Sequence, residues 1–359
     1  MSPHRTDGGA RYGDPIPTAA FLSFRLGGFD GVGVESAKWQ GALGALGFTT
    51  YTVAGEGPVD HQLAGLAVGA AEPPGRAELT AALERADLVV VENLCSLPLN
   101  PPAAAVVAEV LAGRPAVLHH HDLPWQRPHL ADHPPPPVHR RWSQVTINTL
   151  SRHQLADRGV TASTVYNAFA PPPPEPRGRR RQVRHALGVT DDRRLVLQPT
   201  RAIPRKNVAG GLQVAADLGA TFWLLGPAED GYGPELGDLV AGAGVPVLLG
   251  SPGHRSPIGI DDAYRACDVV ALPSTWEGFG NPSVESATHR RPLAVGPYPV
   301  AAELAAFGFD WFALSDMGRL DRWLETPDPA LLDANEAVAA AHFPLHRLPE
   351  RIAAVLPEM

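Results

Sequence analysis

Short apolar runs alternate with longer stretches of helix-forming composition along most of the chain. In the first half the runs that predict strands are Ala19–Leu26, Thr49–Ala54, Leu88–Val91, Ala116–His119, Val145–Leu150 and Ser163–Tyr166. The stretches between them that predict helices are Val32–Leu46, Ala77–Arg85 and Pro102–Ala112. Runs that are apolar on both faces and separated by helices are typical of a parallel sheet covered on both sides. The first half is therefore predicted to be a doubly wound α/β domain.

The alternation stops at residues 170–181, which read APPPPEPRGRRR, and then resumes. Four successive prolines favour an extended polyproline II spacer, and the arginines after them are expected to be solvated. Beyond the break, predicted strands are Leu195–Pro199, Phe222–Leu225, Val247–Leu249, Val269–Leu272 and Leu293–Val295. Predicted helices are Val208–Leu218, Asp262–Ala266, Ser283–His289 and Val300–Ala306. We therefore expect an N-terminal domain over 17–169, a Pro/Arg-rich linker over 170–193, a second α/β domain over 194–340 and a helical tail over 341–359.

Composition narrows the class of protein. A chain of 359 residues with 44% hydrophobic residues has enough material for two cores. A net charge of -8 argues against a broad nucleic-acid interface, which draws on excess Lys and Arg. No apolar run reaches the ~18 residues of a membrane span, and the start of the chain lacks a signal-peptide layout, so a cytoplasmic location is expected. The two cysteines are far apart and indicate neither a disulfide framework nor a metal site.

The most informative segment, Val269–Arg291, places a Gly-rich loop between an apolar strand and a helix. Asn281 is predicted to cap this helix and Pro282 to be its first residue. Gly278 and Gly280 let the backbone approach a ligand closely, and the helix start offers unpaired N–H groups to an anion. The loop is therefore a candidate phosphate site.

Charged side chains around this loop strengthen that interpretation. Glu277 and Glu285 stand before and behind the loop and could accept hydrogen bonds from a sugar at one end of a ligand and a ribose at the other; the alternative is a turn with two solvated glutamates. Arg201 and Lys206 lie between a strand and the next helix. In an acidic chain, two cations at a strand's carboxyl end favour contacts to a diphosphate. Arg205 is expected to be solvated.

An early Gly-rich turn follows the first predicted strand. Residues 26–36 read LGGFDGVGVES, which does not fit the G-x-G-x-x-G fingerprint of dinucleotide-binding proteins. Its glycines, Gly28 among them, make a flexible turn that tolerates an anion. Closing over phosphates, admitting a second substrate and a purely structural role all remain open for this turn.

Three consecutive histidines end another strand of the first half. Adjacent residues of a strand point to opposite faces, so His119, His120 and His121 cannot all converge on one ion. Because the sequence offers no second cluster of His, Asp or Cys to complete the coordination, no metal site is predicted. His121 and Asp122 are expected to be hydrogen-bonding groups in a cleft, and His119 a core or supporting residue.

Taken together, these segments resemble the family 4 retaining glycosyltransferases. The resemblance rests on the E-x(7)-E motif EGFGNPSVE over 277–285, on ACDVVALPS before it and on TRAIPRKN over 200–207. The early Gly-rich turn and VYNAF over 165–169 are lesser matches, and the whole spans about residues 21–306. The family has the GT-B fold, in which two Rossmann-like, doubly wound parallel-sheet domains face a central cleft. The resemblance implies that fold here, with acceptor binding in the first domain and nucleotide-sugar binding in the second.

The resemblance also implies roles for individual residues. The implied donor-binding residues are Gly28, Arg201, Lys206, Glu277, Gly278, Phe279, Gly280, Asn281 and Glu285. Arg201 and Lys206 would neutralise the diphosphate leaving group, Glu277 would hold sugar hydroxyls, and Glu285 would bind the ribose. His121, counted with Arg201, Lys206 and Glu277 as catalytic, would lie beside the transferred sugar.

We therefore expect a retaining transfer of a hexosyl group from a nucleoside diphosphate sugar to an acceptor carbohydrate or small molecule. No cofactor and no metal are expected, since the cations would supply the charge that a metal otherwise provides. Three alternatives remain open on the same fold: a nucleotide-sugar epimerase, a glycan phosphorylase and a non-catalytic protein that binds nucleotide sugars.

Overall fold

Two α/β units, each built on one parallel sheet, make up the chain in a computed structural model that describes residues 16–28, 30–251 and 258–359. Unit 1 comprises the described residues up to Thr146, together with Gln154–Val165 and Leu348–Met359. Unit 2 comprises Ile147–His153 and Tyr166–Arg347.

The sheet of unit 1 has seven parallel strands. They are β1 (Thr18–Arg25), β2 (Thr49–Glu56), β3 (His61–Gln62), β4 (Leu88–Glu92), β5 (Ala116–His120), β6 (Trp142–Thr146) and β7 (Ser163–Thr164). Their order is β3-β2-β1-β4-β5-β6-β7, so the direction of winding reverses between β1 and β4. Strands β4 and β5 are buried along their whole length, as expected of a sheet covered on both faces.

Helices cover this sheet. They are α1 (Gly31–Ala45), α2 (Arg76–Ala82), α3 (Pro101–Leu111), the helix α4 (Thr149–Ala156) that the two units share, and, near the end of the chain, Leu348–Ala353. The sequence predicted α1, α2 and α3 to within a few residues. It placed a strand over Val145–Leu150, where β6 ends at Thr146 and α4 has begun at Thr149.

The sheet of unit 2 has six parallel strands. They are β8 (Leu195–Gln198), β9 (Thr221–Leu224), β10 (Val247–Leu249), β11 (Val269–Leu272), β12 (Leu293–Val295) and β13 (Phe312–Ala313). Their order is β10-β9-β8-β11-β12-β13, and the winding reverses between β8 and β11. In doubly wound sheets, ligands bind beyond the carboxyl ends of the strands at this switch point.

Eight helices are assigned to unit 2 within the described part of the chain. They are α5 (Arg179–Ala186), α6 (Val208–Asp217), α7 (Gly233–Ala241), α8 (Ile260–Ala266), α9 (Asn281–Thr288), α10 (Pro299–Ala305), α11 (Met317–Glu325) and α12 (Pro329–His342). The helix Leu348–Ala353 of unit 1 is accordingly α13. None of the helices in the described ranges is long and apolar enough to cross a membrane.

The second half of the predicted linker is a structured part of unit 2. Arg180 donates to the carbonyl oxygens of Arg265 and Cys267 at 2.7 and 2.8 Å, which lie at the end of α8. Arg184 is buried and pairs with Asp268 at 3.0 Å. The expectation that the arginines after the proline run are solvated is therefore wrong for Arg180, because cationic side chains satisfy the carbonyls that a helix leaves unpaired at its end.

The C-terminal part of the chain is divided between the two units, whereas the sequence predicted a separate helical tail over 341–359. Helix α12 remains with unit 2, whereas Leu348–Met359 belongs to unit 1. The reason is that α13 is amphipathic and packs against α1, with Leu348 and Ile352 fully buried. A short helix with no strand after it gives no sequence signal for which sheet it covers.

Candidate functional site

The candidate site of unit 2 lies at its switch point, where β8 and β11 end. The chain after β8 runs through a short 3-10 turn, Pro204–Lys206, and enters α6 at Asn207. Asn207 adopts a left-handed conformation with φ 50°, and its side chain accepts a hydrogen bond from the backbone N–H of Gly210 at 3.1 Å. Gln198 donates to the carbonyl of Lys206 at 3.0 Å. These contacts fix the backbone that carries Lys206.

Lys206 and Glu277 form a buried ion pair across the switch point. The Lys206 ammonium donates to both carboxylate oxygens of Glu277, at 2.5 and 2.6 Å, and the two residues are 9% and 5% exposed. Ser274 donates to the same carboxylate at 2.6 Å. Arg205 donates to it at 3.4 Å and to the carbonyl of Trp276 at 3.0 Å. Arg205 is thus part of the group, and the expectation that it is solvated is wrong.

Burial and neighbouring charge act together on the ammonium of Lys206. Burial lowers the pKa of Lys206, and the positive charges of Arg205 and Arg201 lower it further, while Glu277 opposes them. Three cations and the carboxylates of Glu277 and Glu229 therefore lie together after the ends of neighbouring strands, in a chain that is acidic as a whole.

Arg201 lies on the same loop but has a different partner. Its guanidinium pairs with Glu229 at 2.5 Å, and both side chains are partly exposed. Glu229 belongs to the loop after β9, which packs so closely on this one that a Cβ at Gly226 would lie 2.9 Å from the Arg201 backbone. The structure therefore brings Lys206, Arg205 and Glu277 into one hydrogen-bonded group and gives Arg201 a separate ion pair beside it.

The Gly-rich loop turns sharply into α9. Gly280 has φ +86°, and a Cβ there would lie 2.2 Å from the hydroxyl of Tyr298, so glycine is required on both counts. The hydroxyl of Tyr298 is 2.8 Å from that of Ser283 and donates to the carbonyl of Phe279 at 3.4 Å. The N-cap is Gly280 rather than Asn281, which is the first residue of the helix.

Two asparagines hold this loop from outside the motif. Asn148 donates to the carbonyl of Gly278 at 2.5 Å, and Asn167 donates to the side-chain oxygen of Asn281 at 2.8 Å. The sequence pointed to Asn167 only as part of VYNAF and gave no signal for Asn148. Contacts between segments this far apart in the sequence cannot be predicted from a local sequence pattern.

Glu285 belongs to a second hydrogen-bond group on α9. Its carboxylate accepts from the hydroxyl of Tyr264 at 2.7 Å. Tyr264 is fully buried and stacks on His289 with ring centroids 4.5 Å apart, and His289 contacts Asp261 at 2.9 Å. Burial and the charge of Glu285 raise the pKa of Tyr264 well above its ordinary value, so its hydroxyl stays a donor. The two glutamates of the motif thus have distinct surroundings.

In unit 1 the side chain of His121 is held by a carboxylate that no sequence motif marks. Glu92, the last residue of β4, accepts hydrogen bonds on one oxygen from His119 at 2.8 Å and from His121 at 2.7 Å. All three side chains are buried. His119 also lies against Trp39, with ring centroids 4.2 Å apart, which fits the supporting role expected of it. The signal that could have found Glu92 is a carboxylate ending an otherwise apolar strand.

The side chains of the three histidines lie on opposite faces of the sheet, as the alternation along a strand requires. His120 points to the other face and contacts Gln144 of β6 at 2.7 Å. His119 and His121, two residues apart, share a face with Glu92, and the ligand-type atoms of these three lie within 4.8 Å of one another. No local pattern in the sequence marks a group that could complete a cluster with the histidines, and Glu92 is such a group. In the structure, hydrogen bonds already link its carboxylate to both rings.

The turn that carries Gly28 is packed against its own helix. Gly28 is exposed, and its carbonyl oxygen lies 2.6 Å from where a Cβ of Gly33 would stand. The side chain of Asp30 accepts from the N–H groups of Val32 and Gly33 at 3.0 and 3.1 Å. The start of α1 therefore already has a carboxylate on two of the donors that an anion would use.

The chain is similar to glycosyltransferases along most of its length. It is 26% identical to mannosylglucosylglycerate synthase of Thermotoga maritima, over 83% of this chain and 84% of that protein. Among solved structures, Anabaena Alr3699/HepE in complex with UDP-glucose has a TM-score of 0.71 at 20% identity, covering 94% of this chain and 98% of that one. WaaG, a glycosyltransferase involved in lipopolysaccharide biosynthesis, has a TM-score of 0.65 at 15% identity, covering 94% and 99%. No protein-family model matches the chain.

These similarities confirm the predicted GT-B fold, with its two parallel-sheet α/β domains. They also confirm the resemblance to glycosyltransferases and, with it, the prediction of an enzyme of that class.

Proposed function

We propose that this chain is a retaining glycosyltransferase that moves a hexosyl group from a nucleoside diphosphate sugar to an acceptor hydroxyl. The observation that carries the proposal is the group of Lys206, Arg205 and Glu277 at the switch point of unit 2. A glycosyl donor joins an anionic diphosphate to a polyhydroxylated ring, so its site needs cations and a carboxylate next to each other. The fold neighbour in complex with UDP-glucose supports a nucleotide sugar as the donor.

In the proposed reaction, the bond between the anomeric carbon and the β-phosphate oxygen breaks. A bond from the acceptor oxygen to the same carbon forms on the same face, and the acceptor's proton passes to the departing diphosphate. Negative charge grows on the diphosphate as it leaves, and Lys206, Arg205 and Arg201 would stabilise that charge. Preorganised contacts that strengthen in the transition state contribute about 3 kcal/mol each in other enzymes.

Glu277 would have two roles in turn. In the structure its carboxylate neutralises the buried ammonium of Lys206, which a buried charge requires. A bound diphosphate would compete for that ammonium and leave the carboxylate to accept hydrogen bonds from sugar hydroxyls. The exchange would keep the buried charges paired at each stage.

Other assignments follow from the resemblance and stay proposals. Glu285, oriented by Tyr264, would bind the ribose through its carboxylate. His121 would act beside the transferred sugar, and Gly28 would lie near the phosphates or the acceptor. The acceptor is proposed to be a carbohydrate or small molecule that carries a free hydroxyl group.

The first test is binding of the proposed donor. We expect UDP, GDP, UDP-glucose or GDP-mannose to raise the thermal unfolding midpoint of the full chain, because a ligand at a hundredfold excess over its Kd adds ~2.7 kcal/mol to the free energy of unfolding. The matched control is Arg181→Ala, a highly exposed arginine of unit 2 that should leave the shift unchanged. Transfer to glucose, glycerate or a glucosylglycerate is then followed by mass spectrometry. If none of these nucleotides raises the unfolding midpoint, the proposal is contradicted. If the product is an epimerised sugar nucleotide or a phosphorolysed glycan, the epimerase or the phosphorylase replaces the proposed transferase.

The second test concerns metal. We expect transfer activity to change by less than about twofold after dialysis against a chelator, because the proposed site uses cationic side chains where other enzymes use a divalent ion. The measurement is kcat with and without added Mg²⁺, Mn²⁺ or Zn²⁺. Complete loss that a divalent ion restores would show that metal independence is wrong.

A further inference from the structure

Glu92 is fully buried, and its carboxylate accepts hydrogen bonds from two imidazole rings. Burying a carboxylate costs free energy unless it is paired and hydrogen-bonded, and apolar residues of similar size often serve stability as well. Its other oxygen is buried and has no hydrogen-bond partner among the residues that the structure describes. Because an apolar side chain would serve the core at least as well, the buried carboxylate of Glu92 indicates a role beyond packing.

The strand pairing of the sheet places the carboxylate of Glu92 against the ring of His121. Glu92 ends β4 directly opposite His119 of β5, so the two side chains share a face of the sheet. His121, two residues further on, returns to the same face. Its ring nitrogen Nε2 contacts Glu92, while its backbone N–H donates to the side chain of Asn93 at 2.7 Å. The backbone and the ring of His121 are therefore both fixed by consecutive residues at the end of β4.

The rings of His119 and His121 are both hydrogen-bonded to the carboxylate of Glu92, but their pKa values are shifted differently. Burial lowers the pKa of His119 below its ordinary value, despite Glu92. Burial also lowers the pKa of His121, but the hydrogen bond and charge of Glu92 outweigh it, and the charges of Glu35 and Asp122 add to them, so the net shift is upward. The pKa values of the two rings are therefore shifted in opposite directions, and His121 is the more readily protonated of the two.

Helix α1 also carries charged side chains that bear on this group. Lys38 pairs with Glu35 at 2.5 Å, and both side chains are mostly or fully buried. Glu92 is hydrogen-bonded to the ring of His121, and the charge of Glu35 acts on the same ring. A fixed imidazolium is a strong donor to a phosphate or sugar oxygen.

We propose that Glu92 is a positioning residue that fixes the ring of His121 and holds a negative charge against it, so that the ring is oriented to act on the sugar donor. The inference rests on the proposed function, in which His121 acts beside the transferred sugar. His119 takes part as the second donor to the same carboxylate oxygen, which keeps Glu92 ionised. Asn93 takes part by holding the backbone of His121.

The test is the pH dependence of kcat/KM in Glu92→Gln. An amide has no charge to hold the proton on His121, so we expect the alkaline limb of the profile to move down by about one pH unit or more and activity near pH 8 to fall about tenfold or more. The loss should become smaller as the pH falls, because a larger fraction of the His121 rings is then protonated even without the charge of Glu92. Glu92→Asp, which keeps the charge, should retain the position of the alkaline limb while its shorter side chain lowers kcat.

The matched control is His120→Gln. His120 is equally buried on the same strand but faces Gln144, so its replacement should leave the shape of the pH profile unchanged. If Glu92→Gln does not fold, Glu92→Asp alone decides, and wild-type kcat together with a wild-type profile in that variant would overturn the inference. A wild-type profile in a folded Glu92→Gln would overturn it too.

Two further readouts separate this inference from its premise. The pKa of His121, followed by NMR titration of the full chain, should fall in Glu92→Gln whether or not the protein transfers sugar. A wild-type protein without transfer activity but with this fall would refute the proposed function and leave the Glu92–His121 coupling supported. Tight Zn²⁺ binding by calorimetry that Glu92→Gln abolishes would show that the cluster is a metal site and overturn the positioning role.

Discussion

Replacing Lys206 with methionine is expected to lower kcat by about 10²–10³-fold, the loss that follows removal of one preorganised donor to a developing negative charge. Methionine fills similar space but has no charge, so the departing diphosphate would lose its most buried cation. Steady-state transfer from UDP-glucose or GDP-mannose measures the effect. Lys206→Arg, which keeps the charge in a larger head group, should retain more activity than Lys206→Met.

Stability has to be measured in the same variants. Removing one partner of a buried ion pair costs about 3–5 kcal/mol when the other charge is left uncompensated. Glu277 would retain Ser274 and Arg205 in Lys206→Met, so we expect a smaller loss of unfolding free energy than that. Urea unfolding of Lys206→Met and Lys206→Met/Glu277→Gln separates the two effects, because the double variant removes both charges.

Arg201 supplies the contrast within the loop. Its ion pair with Glu229 is partly exposed, and surface pairs contribute little to stability. We therefore expect Arg201→Ala to fold normally. Any loss of turnover in this variant would then come from a lost contact to the sugar donor and not from unfolding. Wild-type kinetics in both Lys206→Met and Arg201→Ala would remove the cations from the proposed mechanism.

The fold was largely predictable because alternation of apolar runs and helices is a local signal. Strands such as β4 and β5 are buried on both faces, and their unbroken apolar runs mark them. Helix α5 was missed because its arginines read as a charged linker. Its arginines donate to carbonyls at the end of α8, about eighty residues away in sequence, and no local periodicity can reveal such partners.

The candidate site was predictable in part for the same reason. The sequence placed Lys206 and Glu277 at the ends of two strands, and the strand order makes those strands neighbours. It could not show that they bond to each other, nor that Arg201 turns to Glu229, because side-chain partners depend on the approach of separate loops. Glu92 was overlooked because a single acidic residue after an apolar strand carries no motif.

Glu277→Gln is expected to reduce transfer by about 10²-fold or more while nucleoside diphosphate binding persists. The proposed contact of Glu277 is to sugar hydroxyls, and a neutral amide is a weaker acceptor for them than a carboxylate. The structure adds a second expectation. Because the carboxylate of Glu277 neutralises Lys206, its loss leaves that ammonium to the diphosphate, so the affinity for UDP or GDP should stay the same or rise.

Calorimetry of diphosphate binding and steady-state transfer, measured on the same preparations, check both parts. Glu285→Gln is the matched control, since Glu285 has the same side chain on the same motif but bonds to Tyr264 and is assigned to the ribose. That variant should weaken nucleotide binding and raise KM, with a smaller effect on kcat. Loss of diphosphate binding in Glu277→Gln would contradict its assignment to the sugar, because a residue that touches only the sugar cannot be needed for a ligand that has none.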